Sequence, residues 1–230
     1  MCTQRQVIEF PATPPLPGGL ESLLFFGGSF DPVHRAHVSL AECAAKQFGC
    51  DHILFVPARC SPHKMGNGEG PAKGIDRWRM LLLAVEGCAN ISVSEYEVTK
   101  PAPSYTVDTL ESLRNAVGDG VRIYFLLGSD QAISFSRWYR YERILELATP
   151  AIVLREPYGD WQLMCRAGLD TGLFTKEMVV EAALDAVSST AIRERLRGDF
   201  ADEGFGGELE GMGLSPAVRE YIRAHHLYGL

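Results

Sequence analysis

The amino-acid sequence predicts a doubly wound α/β fold, in which helices cover both faces of a parallel β-sheet. Short, continuously apolar segments recur along the chain, as expected for strands that are buried on both faces. Helix-length segments separate them, and this alternation is typical of a parallel sheet. The length of 230 residues suits one large α/β domain or two small ones.

The apolar segments predict five clear strands and one weaker candidate. The clear strands are Leu23–Phe26, His52–Val56, Ile91–Val93, Val121–Leu127 and Ala151–Leu154, and the weaker candidate is Val179–Leu184. In a doubly wound sheet, ligands bind at the carboxyl ends of the strands, where the strand order reverses. The segment after the first strand therefore lies at a candidate binding edge.

The stretches between and after the strands predict helices. These are His37–Phe48, Ile75–Gly87, Thr106–Val117, Tyr141–Ala148, Thr190–Arg197 and Pro216–His225. The last two are C-terminal helices, and we expect residues 21–230 to form a single domain. Two glycine-rich segments are predicted as loops: Ser61–Gly74, which could close as a lid, and Asp199–Gly213, a surface connection.

The first twenty residues differ in composition from the rest of the chain. Four prolines and two glycines lie between Pro11 and Gly19, so residues 1–20 are expected to form an extended or disordered leader. The N-terminus lacks the basic and apolar regions of a signal peptide. No apolar run reaches the roughly 18 residues of a membrane span.

Bulk charge and cysteine usage narrow the function classes. The net charge of −7 does not favour a nucleic-acid partner, so local cations must hold any phosphate ligand. Six cysteines are scattered without a CxxC pair, which disfavours a zinc site or a disulfide scaffold. Free thiols in a reducing cytoplasm are the expected state.

The most informative segment of the chain is Gly27–His37. Here a strand brings two glycines and two histidines to the start of a helix. Glycine lets the backbone approach a ligand closely, and a helix N-terminus favours anions. The segment therefore predicts a phosphate site, although it is neither a GxGxxG fingerprint nor a P-loop. The structural alternative is a strand–turn with two surface histidines.

A second candidate phosphate site lies at residues 187–195. Ser188 or Ser189 suits the N-cap of the following helix, and Arg193 falls in or next to its first turn. A cation there opposes the helix dipole, and a bound anion would offset that cost. An ordinary cap with solvent-facing arginines explains the same residues without a ligand.

Further candidates follow other strands or enter other helices. A loop at residues 103–110 enters a helix, and capping alone can explain it. Asp130 follows an apolar strand, where an acid can bind a ribose hydroxyl or a metal. Trp138 and Tyr139 can stack on a flat ring or lie in the core. Lys64 opens the glycine-rich loop and could close over a triphosphate.

No covalent nucleophile stands out, because the chain has neither a GxSxG elbow nor an HExxH motif. Direct phosphoryl or nucleotidyl transfer between bound substrates fits better than covalent catalysis. In such a reaction, catalysis comes from positioning and charge stabilisation.

Several segments together resemble a known enzyme family. Residues 28–37, GSFDPVHRAH, resemble the (T/H)xGH-type signature of nucleotidyltransferases, and residues 187–193, VSSTAIR, resemble their ISSTxxR signature. The PSYTVDTL segment at 103–110, Asp130 with Trp138 and Tyr139, and the C-terminal residues 214–228 are similar to those of bacterial nicotinate-nucleotide adenylyltransferases. The resemblance covers about Leu23 to the C-terminus and implies a Rossmann-like nucleotidyltransferase fold.

The resemblance implies a reaction between ATP and nicotinate mononucleotide that gives deamido-NAD and pyrophosphate. The 5′-phosphate of the mononucleotide would attack the α-phosphorus of ATP in line. Mg²⁺ would be carried by ATP, with no metal ligand supplied by the protein. Nucleic acid and membrane are not expected partners, and the oligomeric state is left open, with a homodimer as one option.

The resemblance also implies roles for individual residues. The implied ATP-binding residues are Gly27, Gly28, Ser29, Phe30, His34, His37, Asp130, Ser188, Ser189 and Arg193. The implied catalytic residues are His34, His37, Lys64 and Arg193, with His63 as a further group on the loop. The implied mononucleotide-binding residues are Thr106, Val107, Trp138 and Tyr139. Trp138 would stack on the pyridine ring, and backbone N–H groups of the other three would receive its carboxylate.

Two residues differ from the usual family pattern, and other functions remain open. Ser29 replaces a threonine and keeps the hydroxyl, whereas Ala36 stands where glycine is usual. The acceptor could instead be nicotinamide mononucleotide, phosphopantetheine or the substrate of a cytidylyl transfer. A non-catalytic nucleotide sensor and a protein whose histidines and caps are purely structural are the alternatives outside the enzyme class.

Overall fold

A computed structural model describes residues 16–60, 71–101, 103–182, 187–198 and 212–229. The strands form one sheet of five, with the order β3-β2-β1-β4-β5, and every neighbouring pair is parallel. They are β1 (Ser22–Gly28), β2 (His52–Pro57), β3 (Ile91–Val93), β4 (Arg122–Gly128) and β5 (Thr149–Val153). The predicted parallel α/β sheet is confirmed.

Helices flank both faces of this sheet. In the described ranges they are α1 (Arg35–Phe48), α2 (Gly74–Ala84), α3 (Tyr96–Thr99), α4 (Thr106–Val117), α5 (Ser129–Ile133), α6 (Tyr141–Leu147), α7 (Trp161–Arg166), α8 (Ser189–Gly198) and α9 (Pro216–Ala224). Short 3-10 helices span Phe135–Arg137, Lys176–Met178 and Leu227–Gly229. No helix in these ranges is long and apolar enough to cross a membrane.

The apolar strands supply two cores, because successive residues of a strand point to opposite faces. Leu24 and Ile53 lie in one buried cluster, which α1, α2, α8 and α9 cover. Leu23 and Leu54 lie in the other, which α4, α6 and α7 cover. Burial on both faces explains why the strands read as continuous apolar runs rather than as alternating ones.

The strand order reverses next to β1. From β1 the chain proceeds outward through β2 to β3, then returns to β4 on the other side of β1 and continues to β5. The loops that leave the carboxyl ends of β1 and β4 therefore diverge, and a crevice opens between them. The Gly27–His37 segment and Asp130 both lie at this switch point.

The weak strand predicted at Val179–Leu184 is wrong for its described residues. Val179 makes only an isolated bridge to Ile152. The side chain of Gln47 donates to the Val179 carbonyl at 2.8 Å and accepts from the Glu181 N–H at 2.8 Å. A side chain of α1 thus satisfies backbone groups that a neighbouring strand would otherwise pair with.

The other element boundaries differ from the prediction by only a few residues. Short helices α3, α5 and α7 were not predicted, because one turn or two give no helical periodicity. Of the predicted leader, residues 16–20 are described, and Leu16 and Leu20 pack against the second core cluster. Residues 61–70 and 199–211, which hold most of the two predicted loops, lie outside the described ranges.

Candidate active site

The loop between β1 and α1, residues 29–34, begins with a tight aromatic turn. Phe30 adopts a left-handed backbone with φ of 48°, and its ring packs edge-on to Phe26 at 5.1 Å and to His37 at 5.1 Å. A Cβ on Gly28 would lie 2.9 Å from that ring. Glycine is therefore required at 28 by close packing, beside any role that it has toward a ligand.

His34 and His37 lie together at the start of α1. Their ring centroids are 3.8 Å apart, and the His34 backbone N–H donates to Nδ1 of His37 at 3.3 Å. His34 caps the helix with an extended backbone, and its side chain is buried. Because Nδ1 of His37 accepts a hydrogen bond, the proton of the neutral ring lies on Nε2.

His37 is held in its neutral form. Burial, then the neighbouring His34 and then the charge of Arg155 hold the pKa of His37 well below its ordinary value of 6.5. An uncharged imidazole donates one hydrogen bond through Nε2 without carrying a charge of its own. A phosphate group next to it would raise this pKa, because an anion favours the charged form.

The start of α8 contacts the β1–α1 loop directly. The Ser189 hydroxyl donates to the Pro32 carbonyl at 2.9 Å, and Nη1 of Arg193 donates to the Asp31 carbonyl at 2.6 Å. Ser188 is the N-cap of α8, since its Oγ accepts the Ala191 N–H at 3.1 Å. These contacts join two motifs that are far apart in sequence, since Ser189 and Pro32 are separated by 157 positions.

A buried cation supports the same loop from α2. Arg77 is 1% exposed, and its guanidinium donates to the carbonyls of Ser29 at 2.6 Å, Arg59 at 2.9 Å and Ala72 at 3.1 Å. Such bonds offset part of the cost of burying the charge. Arg77 ties the loop after β1 to the loop after β2, and the motif analysis did not identify it.

Asp130 lies just beyond the carboxyl end of β4, at the switch point of the sheet. Asp130 is exposed in the first turn of α5, and Nε2 of Gln131 donates to its Oδ2 at 2.9 Å. A Cβ on Gly128 would come within 2.6 Å of Oδ1 of Asp130. The glycine at 128 thus leaves room for the carboxylate where β4 ends.

The same strand end orients the chain that leaves β5. The buried hydroxyl of Ser129 accepts the Arg155 N–H at 3.0 Å and donates to the Arg155 carbonyl at 3.2 Å. Arg155 is exposed, and its charge acts on His37. It is a cation near the predicted phosphate site that sequence reasoning missed. Arg155 could have been identified as Asp130 was, because it is a charged residue directly after a predicted strand.

The start of α4 lies next to the loop after β2. The Arg59 N–H donates to Oγ of Ser104 at 3.2 Å, and the Ser104 N–H donates to the Cys60 carbonyl at 3.0 Å. Thr106 and Val107 are the first two residues of α4. First-turn N–H groups have no acceptor within a helix, so they can bind an anion.

Aromatic residues face this helix start. The rings of Tyr105 and Tyr139 lie 4.9 Å apart, and Tyr139 is 55% exposed. Trp138 is half-buried, with its ring 5.3 Å from that of Phe135. Val107 is 0% exposed as a whole residue, backbone included, so in this structure it offers no surface to a ligand and the predicted contact through its N–H is not supported.

Ionic contacts hold the Tyr139 segment against α4. Arg140 donates through both Nη atoms to Glu111, at 2.9 and 3.3 Å, and Nε of Arg143 donates to the same carboxylate at 3.2 Å. Hydrogen bonds from these two arginines hold the pKa of Glu111 below its ordinary range. Arg140 and Arg143 thus link the segment that carries Trp138 and Tyr139 to α4, and neither arginine was predicted from the sequence.

A buried carboxyl group also supports α4. The Thr109 hydroxyl donates to Oε1 of Glu97 at 2.6 Å. Burial raises the pKa of Glu97, against the opposing effects of hydrogen bonds from Thr109 and Ser104. Glu97 thus connects α3 to the helix that carries Thr106 and Val107.

The predicted site residues therefore lie at the carboxyl edge of one sheet. The structure brings Gly27, Gly28, Ser29, Phe30, His34 and His37 together with Ser188, Ser189 and Arg193. Thr106, Val107, Trp138 and Tyr139 form a second group, with Tyr105 and Tyr139 in contact. Lys64 and His63 lie outside the described residues. Within the described ranges, no group of three or more histidine, cysteine or acidic side chains could hold a metal ion.

Comparison with known proteins places this site in a family context. Residues 25–195 match the family described as cytidylyltransferase-like. The probable nicotinate-nucleotide adenylyltransferase of Chromobacterium violaceum is 33% identical over 216 residues, which cover 88% of this chain and 96% of that protein. The protein of the same name from Solibacter usitatus is 34% identical over 206 residues, covering 90% and 98%.

Solved structures agree on the fold. The nicotinic acid mononucleotide adenylyltransferase of Plasmodium falciparum, complexed with NaAD, has a TM-score of 0.65 at 19% identity and covers 90% of this chain and 97% of its own. A putative nicotinate-nucleotide adenylyltransferase from Vibrio parahaemolyticus has a TM-score of 0.56 at 19% identity, covering 88% and 99%. By family match and by identity to these relatives, this chain belongs to the cytidylyltransferase-like family and, within it, to the nicotinate-nucleotide adenylyltransferases.

Proposed function

We propose that this chain transfers the adenylyl group of ATP to nicotinate mononucleotide, forming deamido-NAD and pyrophosphate in NAD biosynthesis. The observation that carries the proposal is the contact of Ser189 and Arg193 with the β1–α1 loop at the switch point of the sheet. It places two phosphate-type signatures side by side, in a chain whose relatives carry the name of this activity.

ATP binds, in this proposal, with its phosphates between the β1–α1 loop and the start of α8. His34 and His37 lie where that loop meets α1, Arg193 lies in α8, and Ser188 and Ser189 lie at the N-terminus of α8. A helix N-terminus and charge-assisted hydrogen bonds both favour a polyphosphate. In this proposal Asp130, which follows β4, binds the adenosine ribose.

The chemistry is a single in-line displacement. An oxygen of the mononucleotide 5′-phosphate forms a bond to the α-phosphorus of ATP, and the bond from that phosphorus to the β-phosphate bridging oxygen breaks. Pyrophosphate leaves with the electron pair, so no covalent enzyme intermediate is needed. Hydrogen bonds from His34 and His37 stabilise the charge that develops on the phosphoryl oxygens. Arg155 and Lys64 are further candidate cations for this charge.

The pyridine ring binds between Trp138 and the start of α4. Trp138 offers an aromatic face, and the backbone N–H groups of Thr106 and Tyr139 are donors for the carboxylate. Neutral amides bind an anion without adding a mobile charge. ATP enters as its Mg²⁺ complex, and the described residues offer no carboxylate cluster that would hold the ion without the nucleotide.

Pyrophosphate release from ATP tests the proposal. With Mg²⁺, ATP and nicotinate mononucleotide, we expect release of one pyrophosphate for each deamido-NAD formed. The variant His37→Ala should lose most of this activity, whereas His226→Ala, which changes an exposed histidine, should not. Absence of turnover with every mononucleotide would favour a nucleotide sensor, and an unaltered His37→Ala variant would favour a purely structural role for the histidine.

A further inference from the structure

A tyrosine from the C-terminus contacts the β1–α1 loop. Tyr228, in the 3-10 helix Leu227–Gly229, donates its hydroxyl hydrogen to Oδ1 of Asp31 at 2.8 Å. The two residues are 197 positions apart, and their exposed fractions are only 5% and 7%. A buried carboxylate is costly unless donors satisfy it, so this contact bears on where the loop can lie.

Asp31 is held through its side chain and through its backbone. Its carbonyl accepts Nη1 of Arg193 at 2.6 Å, and the next carbonyl, of Pro32, accepts the Ser189 hydroxyl at 2.9 Å. Tyr228 reaches the same residue from a different element. Two residues after Pro32 the chain reaches His34, so these contacts fix the approach to the histidine pair.

Tyr228 is suited to be a permanent donor. Burial, with the adjacent Asp31 carboxylate, raises the pKa of its hydroxyl far above the ordinary value, against the opposing charges of Arg77 and Arg193. The hydroxyl therefore keeps its proton at neutral pH. Its backbone lies in the left-handed region, with φ of 67°, so the surrounding packing fixes an unfavourable conformation that presents the ring to Asp31.

We propose that Tyr228 is a positioning residue for catalysis: through Asp31, it holds the β1–α1 loop so that His34 and His37 face the triphosphate. This inference rests on the proposed function for its kinetic consequence, and on geometry alone for its effect on the histidines. Positioning of this kind acts mainly on kcat, because a small displacement of a catalytic group weakens contacts made in the transition state.

The chain contains a matched control for this contact. Tyr221 is also a fully buried tyrosine of the first core cluster, and its hydroxyl donates to Oδ1 of Asp76 at 2.7 Å. The variants Tyr228→Phe and Tyr221→Phe therefore remove the same group from the same kind of partner. Only the first removes it from the loop that leads to the histidines.

The test compares the two variants in the full chain, by steady-state kinetics and by proton NMR of the histidine rings without substrate. In Tyr228→Phe we expect kcat to fall about tenfold, the KM for nicotinate mononucleotide to stay within about twofold, and the ring signals of His34 and His37 to shift. Tyr221→Phe should leave kcat and these signals near their wild-type values. The melting temperature should fall in both variants, since each loses a hydrogen bond.

Equal kinetic changes in the two variants, or a loss of kcat without a shift of the histidine signals, would overturn the inference. The variant Asp31→Asn keeps an oxygen acceptor and provides a second route if Tyr228→Phe does not fold: its histidine signals should shift as well. Combined with Tyr228→Phe, its effect on kcat should be less than multiplicative, since the two side chains are coupled. A wild-type protein without turnover would refute the proposed function, while the NMR comparison would still decide the positioning role.

Discussion

The rings of His34 and His37 lie 3.8 Å apart, and the backbone N–H of the first donates to Nδ1 of the second. The arrangement buries His37 as a neutral group whose pKa lies well below 6.5. Folding therefore removes a proton-binding site that the unfolded chain retains near its ordinary pKa.

This difference predicts a loss of stability in weak acid. Below about pH 6.5 the unfolded chain binds a proton at His37 that the folded protein does not, so the free energy of unfolding falls as the pH falls toward the folded pKa. Burial also lowers the pKa of His52, which adds a loss of the same sign. Urea unfolding should show that the free energy of unfolding falls less between pH 7.5 and pH 5.5 in His37→Gln than in the wild type. A His37→Gln loss as large as that of His226→Gln, a variant at an exposed position, would contradict this account.

A side chain at Gly128 should displace the carboxylate of Asp130. A Cβ on Gly128 would lie 2.6 Å from Oδ1 of Asp130, so Gly128→Ala must displace the carboxylate that we place at the ribose. We expect the KM for ATP to rise about tenfold, the value of one charge-assisted hydrogen bond. Gly120→Ala is the control, because its added Cβ would meet no atom within 4 Å. An ATP KM that changes equally in the two variants would argue against a role for Asp130.

Arg193 should not be replaceable by lysine. Its guanidinium donates to the Asp31 carbonyl and, through Nη2, to Oγ1 of Thr190 at 3.2 Å. A lysine ammonium lacks the planar fork, so Arg193→Lys should lower kcat/KM for ATP by about 100-fold. Arg197→Lys, at an exposed position of the same helix, should stay within about twofold of the wild type. Comparable losses in both would point to helix stability rather than to the phosphates.

Glu111 should affect binding of the mononucleotide, through the segment that carries Tyr139. Glu111→Gln removes the ion pairs with Arg140 and Arg143, and the segment that carries Trp138 and Tyr139 becomes less restrained. Because surface pairs contribute little individually, we expect the KM for nicotinate mononucleotide to rise only about threefold, with an unchanged KM for ATP. Salt at about 0.5 M screens surface ion pairs, so the KM of the wild type should approach that of the variant. Glu146→Gln removes a single ion pair with Arg143, outside the Arg140 contact, and should leave the KM unchanged.

The sequence predicted those features whose physics is local. Apolar strands buried on both faces, the cap at Ser188 and the α4 boundaries at Thr106 and Val117 follow from short-range pattern and capping. The proximity of the two phosphate-type motifs was implied by the family resemblance, which assigned both of them to ATP.

What the sequence could not predict depends on contacts that only the fold creates. Arg77 occupies an ordinary helical position, yet it is buried because three loop carbonyls surround it. Tyr228 lies beyond the predicted C-terminal helix, and no local pattern connects it to Asp31, 197 positions away. Val179 was predicted to begin a strand, because the side chain that bonds its carbonyl, Gln47, lies in a helix distant in sequence.

Discrimination between nicotinate and nicotinamide mononucleotide tests the central claim most directly. The backbone donors of Thr106 and Tyr139 should favour the acid, because hydrogen bonds to a charged carboxylate are stronger than those to a neutral amide. We predict that kcat/KM with ATP is about 100-fold higher for the acid than for the amide. Equal values for the two mononucleotides would contradict the assignment of this pocket and, with it, the proposed acceptor.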